Sequence, residues 1–367
     1  CLSVIGLARE SAVTFDRPLH IPAPQVKALG DGDSIEKYLR VDIACDELCY
    51  RYSAAAVKNV KIEPSPLWLR MRLHAAGVRP INNIVDITNY VMLEYGQPMH
   101  AFDYACLEGS HIIVRRAAQQ EAYTSLDSKE HVLDDSMLVI ADETKAVALA
   151  GIMGGENSEI TDDTKLVIFE SACFKGSNVR ITSRKLGMRT ESSARFEKGM
   201  DPENTMPALQ RALELIQQLG AGEVVDGIID VYPGKKEQTV IQLEAQRINR
   251  FLGVQLDQAY MEQVLERLGF VCRDGMVEVP SWRADVECME DLAEEVVRIY
   301  GYNKIPSTEF KGPMTQGGRN KKQQFEVRVS DALCDMGMDE IHTFSFISPR
   351  YYDKIRMAQD DPRRNSV

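Results

Sequence analysis

The chain contains no run of about 18 uncharged apolar residues, so no segment reads as a membrane-spanning helix. A charged-then-apolar leader is also missing, and no secretion signal is visible. None of the six histidines stands at zinc-finger spacing from the eight scattered cysteines, whose closest pair is Cys45 and Cys49. Reduced thiols in a cytoplasmic protein are the reading that remains. Basic residues are outnumbered, 43 against 55, for a net charge of −12. Such a chain does not attract nucleic acid over its whole surface, so any RNA contact needs a local patch or a basic partner subunit. Both ends, Cys1 and the polar stretch 360–367, read as cuts in a longer protein.

What is present suffices for roughly two to three domains, since 44% of the 367 residues are apolar. Residues 1–41 read as the remnant of an N-terminal domain and a linker. Leu2 to Glu10 suits a helix with no partner nearby in sequence, and Pro18, Pro22 and Pro24 make an extended stretch. A large domain, 42–233, mixes helices and strands. Ser65-Pro66 starts a helix through a capping hydroxyl and a proline at its first position, and Gly77 stops it. Residues 112–114, 137–140, 147–149 and 166–169 read as short strands. Leu209, Ala212, Leu213, Ile216 and Leu219 keep helical spacing within a helix from about Pro202, stopped by Gly220. After the polar linker 234–237, a small domain, 238–306, is expected to hold a strand, two helices, a hairpin turning at Arg273-Asp274-Gly275, and a third helix from Met289 to Tyr300. The fold class is α+β: a mixed α/β domain followed by a small winged-helix-like one. A third module begins near Lys311 and is not completed within 312–367.

Five stretches carry candidate chemistry. In Val85 to Asp103, Asp86, Asn89, Gln97, His100 and Asp103 crowd a segment that otherwise looks buried, so these polar groups form either a structural network or a ligand site. Ala148 to Glu156 runs into Gly151, Gly154 and Gly155, which suits a tight turn or the close approach of a ligand to the backbone, and matches no dinucleotide or phosphate-loop pattern. Glu170, a lone carboxylate among apolar neighbours, is either a strand-edge surface residue or a buried acceptor for a ligand donor. Arg189 to Gly199, with Thr190 and Ser192 between arginines, reads equally as a loop contacting an anionic or polar ligand and as a helix cap followed by solvated charge. Asp285, Asp291, Glu294 and Glu295 supply hard oxygens for Mg²⁺, or simply favour the dipole of the helix that begins there.

Together these stretches resemble the β subunit of bacterial phenylalanyl-tRNA synthetases. The resemblance rests on the run Asp86 to Asp103, on Ala150-Gly151-Ile152-Met153-Gly154-Gly155, on Arg195 to Pro202, and on Glu294 to Tyr302. It covers nearly the whole chain. It implies that 42–233 is a B3/B4 tRNA-editing domain, 238–306 a B5 domain, and 312–367 the start of an inactive class II catalytic-like domain. By the same resemblance, the editing pocket takes Thr88, Asn89, Pro98 and His100, with Gly151 and Gly154 as backbone wall, Glu170 as reader of the amino-acid side chain, Thr190 at the floor, and Ser192 also among its residues, at a position where some relatives carry alanine. His100 is the catalytic candidate. The metal site at Asp285, Asp291, Glu294 and Glu295 would hold Mg²⁺ shared with an α subunit. The implied whole is an α2β2 heterotetramer that uses ATP to join phenylalanine to tRNA(Phe), with tyrosine as the occupant of the editing pocket.

The physics of that implication is simple. An apolar pocket built for phenylalanine rejects an added hydroxyl by only ~10²-fold, so tyrosine leaks through and a second site must remove it. A buried carboxylate rewards the hydroxyl that phenylalanine lacks. Two other readings compete with the editing hydrolase. One is a non-enzymatic scaffold or RNA-binding module, although the third helix of the small domain has the wrong sign for phosphate. The other is a chain that binds tyrosine but hydrolyses nothing.

Overall fold

The computed structural model describes residues 2–27, 29–30, 32–309, 311–314 and 316–365. It divides into two units, 1–306 and 307–367. In the first, helix α1 (Val4–Thr14) and strands β1 (Arg40–Ile43) and β2 (Cys49–Lys58) lead to helices α2 (Leu67–Ala75) and α3 (Asn83–Tyr95). Strands β3 (Met99–Asp103), β4 (His111–Arg116), β5 (Glu121–Thr124), β6 (Glu130–Leu133), β7 (Leu138–Ala141), β8 (Ala146–Leu149), β9 (Met153–Gly154) and β10 (Val167–Phe174) follow. Helices α4 (Gly176–Leu186), α5 (Glu191–Phe196) and α6 (Thr205–Leu219) precede strands β11 (Glu223–Val224) and β12 (Ile229–Val231).

These strands build two main sheets, ordered β1-β4-β7-β8-β9 and β11-β2-β10-β3, with β12 also on β2. Strand β10 is buried on both faces because it lies between β2 and β3 and between two cores. Its even-numbered side chains Ile168, Ala172 and Phe174 join Tyr52, Phe102, Ile112 and Val139 in the core between the sheets. The odd-numbered Val167 and Phe169 face Ile84, Ile87 and Val91 of α3 and Leu209, Leu213 and Ile216 of α6. Each large apolar side chain so buried contributes roughly 1.5–3 kcal/mol. Helix α6 ends at Gly220, which takes the left-handed conformation (φ 62°) that its C-terminus needs.

One local expectation is corrected. Ser65 does not cap α2. Pro66 occupies the N-cap, and the Ser65 hydroxyl donates to Asp86 Oδ2 at 2.6 Å. Asp86 also accepts from the Ile81 amide at 2.8 Å, which ties the start of α2 to α3. The N-terminal helix has no partner nearby in sequence, as expected, and packs on distant residues. Val13 is buried in the core of the small domain, and Glu10 accepts from Arg298 at 2.7 Å.

The small domain has strand β13 (Val240–Gln242), helices α7 (Ala245–Leu252) and α8 (Gln258–Arg267), the hairpin β14 (Val271–Arg273) and β15 (Met276–Glu278), and helix α9 (Met289–Tyr300). The sheet order is β13-β15-β14, and the hairpin turns on Asp274 and Gly275, both at positive φ. The whole is α+β, as expected. Residues 307–367 contain α10 (Lys321–Asp335) and α11 (Arg350–Lys354) and bury no side chain among their described residues. No helix among the described residues is long and apolar enough to cross a membrane.

Candidate functional site

Antiparallel pairing of β10 with β3 sets Glu170 directly opposite His100, on the face that looks into the space between the sheets. Glu170 is 5% exposed, so it is a central, buried side chain and not a strand-edge one. Tyr52 Oη donates to its Oε2 at a long 3.4 Å. Burial among apolar groups pushes the carboxyl up from 4.5 to about 8, against a small opposing effect of Tyr52. Near neutral pH the group is therefore mostly a neutral acid, carrying an O–H donor beside its carbonyl acceptor. That amends the expectation of a plain carboxylate acceptor.

His100 stands against the edge of the first sheet. A methyl group built on Gly154 of β9 would lie 2.3 Å from His100 Cε1, so only a glycine lets the imidazole sit there. Phe102 holds the ring edge-on, with centroids 4.5 Å apart. Nε2 is shielded from solvent yet has no hydrogen-bond partner, and burial lowers the imidazole from 6.5 to about 4. The side chain is thus neutral, fixed and unsatisfied. An orphaned buried nitrogen on the strand position paired with a buried acid is the arrangement expected of a site that awaits a polar ligand.

The second glycine, Gly151, turns the chain between β8 and β9 at φ 70°. Side chains of Phe196, Val179 and Phe174 crowd it, 3.0–3.2 Å from where a Cβ would sit. Thr190 and Ser192 secure this turn from α5. Thr190 Oγ1 donates to the Ile152 carbonyl and Ser192 Oγ to the Gly151 carbonyl, each at 2.9 Å. Both hydroxyls therefore position the glycine wall. Thr190 also caps α5 through a reciprocal pair with Ser193.

Not every expected residue joins this group. Thr88 and Asn89 lie on α3, which packs on the opposite face of the β10 sheet, and the Thr88 hydroxyl is spent on the Val85 carbonyl at 2.8 Å. Pro98 is buried just before β3. Its neighbour Gln97, fully buried, donates from Nε2 to the Ala172 carbonyl at 2.8 Å and has an unpartnered Oε1. Sequence reasoning missed Tyr52 as a site residue, because the alanine-rich strand 49–58 has a weak strand signal.

The acidic group of the small domain is not assembled as a cation cage. Arg283 donates to both oxygens of Asp285 at 2.7 and 2.8 Å and to both oxygens of Glu295 at the same two distances. Arg298 holds Glu295 as well, at 2.5 Å. Burial pushes Glu295 up, but the two arginines outweigh it and keep the carboxyl below its usual value. Asp291 accepts the amides of Glu287 and Cys288 ahead of α9, and Glu294 points to solvent. Among the described residues no three His, Cys, Asp or Glu side chains come close enough to share a metal. As placed, the four carboxylates do not fit Mg²⁺, because two of them are neutralised by Arg283.

A cavity of about 840 Å³ lies elsewhere, between α1, residues 21–24, the 195–210 segment of the large domain and the small domain, and includes neither His100 nor Glu170.

Three family models match the chain: the B3/4 domain over residues 48–221, the tRNA synthetase B5 domain over 241–302, and the phenylalanyl tRNA synthetase beta chain CLM domain over 305–367. The phenylalanine–tRNA ligase beta subunit of Clostridium acetobutylicum is 47% identical across the whole chain, which covers 47% of that protein. The corresponding subunit of Moorella thermoacetica is 45% identical, again over the whole chain and 46% of its own length. The chain thus spans about half the length of the curated relatives it matches. An N-terminal fragment of the phenylalanyl-tRNA synthetase beta-subunit from Pyrococcus horikoshii aligns over 82% of the chain and 83% of its own, at 16% identity and a TM-score of 0.38, too low to bear on the fold.

Proposed function

The chain belongs to the family of phenylalanine–tRNA ligase β subunits, and on that premise we propose that its large domain is a hydrolytic proofreading site for tRNA carrying tyrosine in place of phenylalanine. The observation that carries this reading is the cross-strand pairing of Glu170, a buried acid, with His100, a half-buried imidazole whose Nε2 is buried without a partner. A phenol hydroxyl entering between the sheets finds both a donor and an acceptor on Glu170. Phenylalanine would leave that acid as it is in the empty site, losing about 1–3 kcal/mol relative to tyrosine.

The step itself needs little machinery. Water adds to the ester carbonyl, the bond to the terminal ribose oxygen breaks, and the proton of the water ends on that oxygen. An imidazole titrating at about 4 stores no proton at neutral pH. His100 therefore contributes as a rigid acceptor that orients the water. The Gly151–Gly154 segment brings backbone close to the reacting centre, and Thr190 and Ser192 keep it there.

For the whole protein we propose ATP-driven charging of tRNA(Phe) with phenylalanine, in an α2β2 assembly with an α subunit that carries the synthetic site. The test is deacylation of Tyr-tRNA(Phe) by the full-length protein and its Glu170→Ala variant. The wild type should hydrolyse tyrosyl ester well ahead of phenylalanyl ester, and the variant should lose the preference. Equal rates on both esters in the wild type would sink the reading.

A further inference from the structure

Several arginines elsewhere in unit 1 are matched by acids, as at Arg51, Arg115, Arg211, Arg283 and Arg298. One segment departs from this. Residues 175–198 carry seven basic side chains against two acidic ones, on a chain whose net charge is −12. They fold as α4, a turn and α5, and they border a groove of about 470 Å³ lined by Arg180, Arg184, Arg189, Lys198 and Glu197. All four cationic side chains are exposed. Arg180, Arg184 and Lys198 form no ion pair among the described residues, and Arg189 reaches Glu197 only at 4.0 Å. Arg180 and Arg184 are four apart, so they share one face of α4, where like charges weaken a helix unless an anion lies against them.

The groove is joined to the pocket by packing. Val179 of α4, adjacent to Arg180, and Phe196 of α5 both press on Gly151. Thr190, adjacent to Arg189, bonds the Ile152 carbonyl, and two residues on Gly154 meets the His100 ring. The same two helices thus brace the glycine wall from within and present cations outside it. No aromatic side chain lines the groove, so it offers charge to a backbone and no stacking surface to bases.

We propose that the α4–α5 groove binds the sugar-phosphate backbone of the RNA whose aminoacylated 3′ end enters the Glu170–His100 pocket. The proposal rests on the proofreading reading above and names the surface that delivers its substrate. Binding there is independent of RNA sequence and sensitive to salt, since each phosphate neutralised releases a counterion.

The experiment titrates a fluorescent acceptor-stem minihelix with a single-stranded 3′ end into the full-length protein across a range of salt. The variants are Arg180→Gln/Arg184→Gln/Arg189→Gln and the same three positions changed to Lys. The Gln variant should bind at least tenfold more weakly at low salt, and its plot of log Kd against log salt should be shallower by about 2 to 3, from roughly 0.7 to 0.9 per phosphate contact. The Lys variant should stay close to wild type, and all three thermal midpoints should agree because the side chains are exposed. Unchanged affinity and slope in the Gln variant would overturn the groove assignment, as would displacement of a polyglutamate peptide instead of the minihelix. Hydrolysis of tyrosyl-minihelix is read in parallel. A wild type that binds with the expected slope yet hydrolyses nothing removes the proofreading reading and leaves the groove. Normal hydrolysis with an unaltered salt slope removes the groove alone.

Discussion

Replacing Glu170 by glutamine should change how stability depends on pH. In the folded chain the carboxyl holds its proton to about pH 8, because ionising it would place a charge between two apolar sheets. In the unfolded chain it releases the proton near 4.5. Between these values the folded state binds more protons than the unfolded state, so stability falls as pH rises and levels off above 8. At 1.36 kcal/mol per unit the full drop is about 4–5 kcal/mol. His100 works in the opposite direction. Its folded value of about 4 lies below the ordinary 6.5, so the unfolded chain binds the extra proton and stability rises with pH across that window. The two slopes offset each other between about 4.5 and 6.5, and the Glu170 decline stands out from there to pH 8. Glu170→Gln keeps the shape and removes the titration. Urea midpoints of both proteins, measured at half-unit steps from pH 5 to 9, give the difference directly. The variant should gain steadily on the wild type up to pH 8 and then hold its lead. A difference that does not vary with pH would show that Glu170 is ionised and solvated, contrary to the burial argument.

Three further outcomes follow from the same geometry. His100→Ala should slow Tyr-tRNA deacylation by roughly 10²-fold or less, the range for one orienting group, and leave the urea midpoint within about 1 kcal/mol of wild type at pH 8, because the nitrogen removed had no partner; a variant that unfolds instead would mark His100 as structural. Gly154→Ala has ordinary backbone angles but puts a methyl group into the imidazole, so deacylation assays should show a loss as large as that of His100→Ala while circular dichroism stays native; full activity would separate the glycine wall from the chemistry. Arg283→Ala leaves the buried Glu295 with Arg298 alone and should destabilise the small domain by roughly 3 kcal/mol in urea titration; no loss would mean that Glu295 is better solvated than its burial implies.

Much of the scaffold was legible from periodicity. The α6 stripe with Gly220 behind it, the hairpin at Asp274-Gly275 and the span of α9 follow local rules that packing did not override. Within the pocket, Glu170 showed as an isolated carboxylate in an apolar run, and the glycines as a turn with no known phosphate pattern. Other features depend on partners far away in sequence. Thr88 and Asn89 share a motif with His100, but Gly96 ends α3 between them and the chain crosses to the opposite face of the sheet. The four acids of the small domain have cation-site spacing, yet Arg283, outside the helix, claims two of them. Ser65 carries the right residue type for a cap and serves Asp86, 21 positions on.

Strand β10 gives its alternate side chains to two different cores, and this limits how the pocket can change over time. Inserting or deleting one residue between Val167 and Glu170 would turn the acid toward α3 and α6 and swing Phe169 toward His100. Both cores would fail together. Length variation is therefore closed to this strand, and the surroundings of Glu170 change by substitution, at position 170, at its partner Tyr52 or at its cross-strand neighbours Ala54 and His100.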